Sequence, residues 1–91
     1  MIKNITEIAT DTEYVKLLSL LKELKISAGV LVRNYSRNNE KVYEDKRLQC
    51  LQLINTLQAK YDCIIHMSCV KLTSIDRYTV YYYNVDYVIV R

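Results

Sequence analysis

Apolar positions change period along this chain, and the changes divide it into elements. From Tyr14 onward they return at three- and four-residue intervals, as Tyr14, Leu17, Leu18, Leu21 and Leu24, while Lys16, Ser19 and Glu23 take the other side. This spacing predicts a helix with one packing stripe. Thr10 followed by Glu13 fits a capping box, in which the hydroxyl takes the N3 amide and the glutamate reaches back to the cap amide. Asp11 adds favourable charge to the first turn, and Lys22 and Lys25 complement the C-terminal dipole. Gly29, the only glycine, stands where a left-handed residue would close the helix. Val30 to Tyr35, β-branched and aromatic, then reads as a short strand.

Ser36 to Glu40 is the most turn-like stretch, because Asn38-Asn39 can adopt left-handed geometry without glycine. A second helix is expected from about Lys41 to Tyr61. In it Tyr43, Cys50, Leu53, Ile54, Leu57 and Tyr61 share a sector of roughly 80°, with Leu51 on its flank and Leu48 off it. After Asp62 the pattern turns extended: a strand from Cys63 to about Leu72, a turn over Thr73 to Arg77, and a Tyr-rich strand from Tyr78 returning antiparallel. Ile2, Ile5 and Ile8 recur every three residues without committing to either period, so residues 1–9 stay an arm or a short edge strand. The expectation is one α+β domain over residues 1–91, order α-β-α-β-β. Two helices would cover one face of a three- to four-stranded, mostly antiparallel sheet.

The last strand has aromatic or β-branched side chains on both faces. Thr79, Tyr81, Tyr83, Val85, Tyr87 and Ile89 form one row, and Tyr78, Val80, Tyr82, Asn84, Asp86, Val88 and Val90 the other. The first row, with fewer polar residues, is assigned to the helices and the second to the outside, with a bulge near Asn84-Val85-Asp86 able to exchange the faces at one end. Two helices shelter only one side of a small sheet, so the other side is expected to bind a partner.

Composition sharpens this in one respect. Every aromatic residue is tyrosine, nine of them with no Phe or Trp, so each ring carries a hydroxyl that suits a half-wet surface. AT-rich codon usage would give the same bias. A formal charge of +3 falls short of a dedicated duplex-DNA binder. The sequence has no apolar run of membrane-spanning length, and Met1 to Asp11 lacks the apolar stretch of an export signal. Three cysteines in such a chain are expected as free thiols in a cytoplasmic protein, including the interior of an infected host cell.

Candidate chemistry is sparse. Cys63, His66 and Cys69 have zinc-ligand chemistry, but on a strand His66 points away from both cysteines, so no metal site is expected. His66 with Cys50 lacks any glycine-rich turn for an oxyanion hole. No enzyme, cofactor or metal is therefore assigned. Arg33, Arg37, Lys41, Lys46 and Arg47 form a basic group interleaved with Glu40, Glu44 and Asp45, where pairs such as Glu44 with Arg47 would neutralise a solvated helix face.

The function expected is a small non-enzymatic binding protein acting through a Tyr-rich sheet face, as a homodimer or by capping another protein. A phage- or mobile-element-type inhibitor of a host enzyme or defence complex would have this character. The partner-binding residues are Tyr78, Tyr82, Val88 and Val90 as anchors, with Arg77 and Arg91 at the rim. The alternative is a single-stranded RNA or DNA binder that stacks bases on Tyr78 and Tyr82 and holds phosphates with Arg33, Arg37, Lys41, Lys46 and Arg47.

Overall fold

Burial carries the first long helix through residues that look like its end. The computed structural model describes residues 5–75 and 78–90, and the side chains of 7–72 and 79–90. The elements are α1 (Ile5–Thr10), α2 (Thr12–Arg33), α3 (Arg37–Tyr61), β1 (Cys63–Ile75) and β2 (Tyr78–Val90). The protein is thus α+β, but the expected order α-β-α-β-β and the three- to four-stranded sheet are corrected: among the described residues the sheet has two antiparallel strands. Part of the arm, from Ile5, is helical, and its Ile8 is buried in the core.

The expected strand Val30 to Tyr35 is instead the last turn of α2 and its exit, with the Asn34 N–H capping the Val30 carbonyl at 2.8 Å. Leu17, Leu21 and Leu24 continue into Ala28 and Leu31, and all five are buried. Burying a leucine stabilises by about 2–3 kcal/mol, whereas glycine in a helix costs about 1 kcal/mol, so the stripe overrides Gly29. Gly29 has no positive φ, and a Cβ built on it would meet nothing within 4 Å. Gly29→Ala is therefore expected to raise stability by about 0.5–1 kcal/mol in urea denaturation. A loss would instead point to the left-handed closure first expected there.

The caps also differ from expectation. Asp11, not Thr10, caps α2, accepting the Glu13 N–H at 2.7 Å, while the Thr10 hydroxyl donates to the Glu7 carbonyl within α1. Carboxylate suits the positive end of a helix. Asp11 also receives Lys60 Nζ at 2.7 Å and the Tyr61 hydroxyl, tying the start of α2 to the end of α3. Lys60 first, then Tyr61, holds its carboxyl well below the usual range. Helix α3 starts at Arg37 because Ser36 Oγ accepts the Asn39 N–H, so the expected turn at Ser36 to Glu40 is a cap and first turn. Asp62, at φ 49°, closes α3 in the left-handed region. The α3 stripe is as expected, with Tyr43, Cys50, Ile54 and Leu57 buried and Leu48 exposed.

The ribbon register runs from Cys63 opposite Val90 to Ile75 opposite Tyr78, so β1 passes through Thr73–Ile75, where a turn was expected. The register shifts at His66/Met67, where Asp86 is the extra residue, and at Lys71/Thr73, where Leu72 is. The bulge at Asp86 exchanges faces, as expected for the Asn84-Val85-Asp86 region. Tyr83 and Val85 pack against the core together with Val88 and Val90 from beyond the bulge, while Tyr87 and Ile89 turn outward; toward the start of the strand Val80 and Tyr82, from the other row, also reach the core.

The molecule is a rod of 49 × 19 × 16 Å with a radius of gyration of 14.6 Å, against about 12 Å for a compact chain of this length. Two long helices form a layer roughly 20 Å wide, and two strands one about half that. The expected shortage of helical cover is thus reversed on one side: α2 presents Leu18, Val15 and Ile26 exposed. None of the described helices is long and apolar enough to cross a membrane.

Candidate functional site

Two surfaces of the ribbon remain open. On the face away from the helices, Ile64 lies opposite Ile89, His66 opposite Tyr87 and Ser68 opposite Asn84. Ile64, Tyr87 and Ile89 are 38%, 50% and 48% exposed. The His66 and Tyr87 rings stack in parallel, with centroids 4.6 Å apart and 3° between planes. The bulge aims Asp86 across to β1, where Oδ1 accepts from the Ser68 hydroxyl at 3.0 Å and Oδ2 lies 3.3 Å from His66 Nδ1. An acyl-transfer relay needs the imidazole between hydroxyl and carboxylate. Here the carboxylate stands between the other two, so it orients the His66 ring instead of activating Ser68.

The second surface is the free edge of β2. Antiparallel strands alternate residues whose N–H and C=O face the partner with residues whose groups face away. Two side chains of α3, making three hydrogen bonds, identify the latter. The Tyr43 hydroxyl donates to the Tyr81 carbonyl at 2.7 Å and accepts its N–H at 3.1 Å, and the Ile65 N–H donates to Gln58 Oε1 at 2.9 Å. By alternation through the bulge, Tyr83, Val85 and Val88 also turn their backbone groups away from β1. No other described group bonds to them.

Beside that edge runs an open groove in two stretches. One, of ≈ 510 Å³, lies among Ile8, Ala9, Tyr14, Leu18 and Val85 to Val88. The other, of ≈ 330 Å³, lies among Leu18, Leu21, Lys22, Lys25 and Tyr83 to Val85. At 100° per residue Leu18, Lys22 and Lys25 fall within roughly 60° on the flank of the α2 stripe. This flank is the helical surface that overhangs β2.

The residues expected to bind a partner fare unequally. Val88 and Val90, expected outside, pack against the core because the bulge turns them inward. Tyr82 is half-buried against the same cluster, with Lys25 Nζ 5.3 Å from its ring centre. Val80, assigned to the outward row, is buried. Tyr78 lies in β2, its side chain outside the described residues, as are Arg77 and Arg91. Tyr83 packs edge-on to Tyr81 at 5.5 Å, and burial first, then its bond to Tyr81, pushes its hydroxyl up to about 12. Pairwise alternation could have found Tyr87 and Ile89 outside, once the bulge was placed at Asp86.

The basic group is divided. Arg47 pairs with Glu44 at 2.9 Å, as expected for the helix surface, and Lys46 with Glu23 across α2 and α3 at 3.3 Å. Arg33, Arg37 and Lys41 are exposed near the α2–α3 junction, with Glu40 and Glu44 lining the same hollow as Arg37 and Lys41. Cys63 is buried with its Sγ near the Leu57 carbonyl, His66 and Cys69 are exposed, and no metal-holding group is found among the described residues. Cys50 is buried in α3, and burial pushes its thiol up to about 11, away from the thiolate a nucleophile needs.

No protein-family model, curated protein or solved structure matches the chain.

Proposed function

We propose that this is a non-enzymatic binding protein that self-associates through the outward face of its ribbon. The carrying observation is the row of Ile64, Tyr87 and Ile89, three large apolar residues left exposed on one face of the ribbon beside a stacked histidine. Two such faces stacked about 10 Å apart would bury both rows, as in a β-sandwich. The same face could cap another protein, and an inhibitor that acts on a host enzyme or defence complex by occupation requires no more chemistry than this. The anchors on this face are Ile64, Tyr87 and Ile89, since Tyr82, Val88 and Val90 pack against the core.

Light scattering tests the proposal. The chain is expected at twice its 10.8 kDa mass, and Ile64→Ser with Ile89→Ser is expected to weaken the dimer by about 100-fold or more. A monomeric parent at all concentrations, or a variant that still pairs, overturns it. No observation favours the nucleic-acid alternative: Lys25 lies over the Tyr82 ring, while Glu23 and Glu44 engage Lys46 and Arg47.

A further inference from the structure

We infer that the β2 edge is a second binding site, which takes one extended peptide segment of a partner protein as a third strand, with an acidic side chain beside Lys22 and Lys25. The site adjoins the outward face at Tyr87, which borders both, but involves neither Ile64 nor Ile89. It has three components, one from β2 and two from the flank of α2.

The first is a strand edge with unmet hydrogen-bonding capacity. Tyr83, Val85 and Val88 offer backbone donors and acceptors along about 20 Å of strand. At its Tyr81 end the Tyr43 hydroxyl already fills the place of a neighbouring strand, which sets the limit of the seat. Ile8 and Ala9 of α1 line the groove toward the other end. The seat therefore accepts about five or six residues.

The second is a floor. An added strand would lie over the flank of α2, where Leu18 joins the two stretches of groove and Leu21 and Tyr14 border them. Alternate side chains of the segment would point down onto these residues, so apolar side chains are selected at every second position. A second copy of this chain fits poorly, because its own overhanging α2 would meet this one across the paired edges. A single segment without an attached helix has no such conflict.

The third is charge. Lys22 and Lys25 are exposed at the Tyr83 end, and apart from the contact of Lys25 with the Tyr82 ring neither has an ion pair among the described residues. Lys16, on the far flank of α2, lines a different hollow. The Tyr83 end is thus basic, while the Val88 end is lined by apolar residues and by Asp86, whose carboxylate engages Ser68 and His66, and a segment with Asp or Glu at the Tyr83 end and apolar alternation behind it is complementary. By contrast, the β1 edge carries exposed Lys71 and has the Gln58 cap on Ile65, devices that discourage strand addition.

The test is selection of displayed random hexapeptides on the intact protein, followed by synthesis of the enriched sequences. Peptides with one terminal acidic residue and apolar residues at alternate positions are expected. N-methylation of the amides facing β2 should weaken binding about tenfold, and methylation of the intervening amides far less. Lys22→Glu with Lys25→Glu, both on an exposed helix flank, should likewise weaken the acidic peptides about tenfold or more. Ile64→Ser with Ile89→Ser should leave peptide binding unchanged, which separates this site from the outward face. No enrichment, peptides without the acidic preference, indifference to N-methylation, or loss through Ile64→Ser with Ile89→Ser alone each overturns it. A self-association that the lysine reversals disrupt, without peptide binding, would assign the edge to a second copy and also overturn it.

Discussion

Leu31→Ala is expected to destabilise the protein by about 3–4 kcal/mol, read as a drop in the urea midpoint with little change of slope. Leu31 is fully buried in the last turn of α2. Truncation removes the transfer free energy of three carbons and leaves a void between elements that cannot close on it, since helix ends held by Asn34 and Ser36 limit relaxation. Against a total of about 5–15 kcal/mol for a domain this is a large fraction. A loss under about 1 kcal/mol would place Leu31 at the surface and undo the helical reading of residues 30–33.

Tyr43→Phe is expected to cost about 2–4 kcal/mol with the ring volume kept. The hydroxyl serves both backbone groups of Tyr81, and the residue is 1% exposed. Without it an N–H and a C=O at the covered end of the β2 edge lose their partner, each at a cost of about 1–3 kcal/mol unless water enters. Hydrogen exchange distinguishes this from a general loss of packing: the Tyr81 amide should exchange far faster in Tyr43→Phe while the α2 amides follow global stability. Unchanged Tyr81 protection would show that α3 does not terminate the free edge.

The two substitutions probe different kinds of information. Tyr43 was identifiable as a core position from the α3 stripe, because periodicity reports which side of a helix is covered. That its hydroxyl would act as a substitute strand was not, since this depends on where β2 lies across α3. Leu31 shows the opposite difficulty. Gly29 and the β-branched Val30 and Val32 favour local alternatives to helix, and a window confined to residues 30–35 sees only those preferences. The longer run from Leu17 through Ala28 to Leu31 carries the helix, because the burial of a continuous stripe exceeds the local cost.

The candidate surfaces divide in the same way. Tyrosine and β-branched residues on both rows of β2 already required two covers, and the bulge region was legible from Asn84 and Asp86. One extra residue turns Val88 and Val90 to the core and Tyr87 and Ile89 to the outside. The groove over α2 had no signature at all: Leu18 belongs to the stripe by spacing, and Lys22 and Lys25 look like dipole partners of a helix that would end near them. They became a flank instead because α2 runs on to Arg33 and is laid beside a ribbon narrower than the helical layer.

The amino-acid order alone determined an α+β chain, the buried side of α3 and the antiparallel return of β2, all consequences of local period and nearest-neighbour chemistry. Tertiary packing decided the length of α2, the number of strands and which edge and face stay open. Those outcomes depend on how much area distant segments bury together, a quantity that no short window of residues contains.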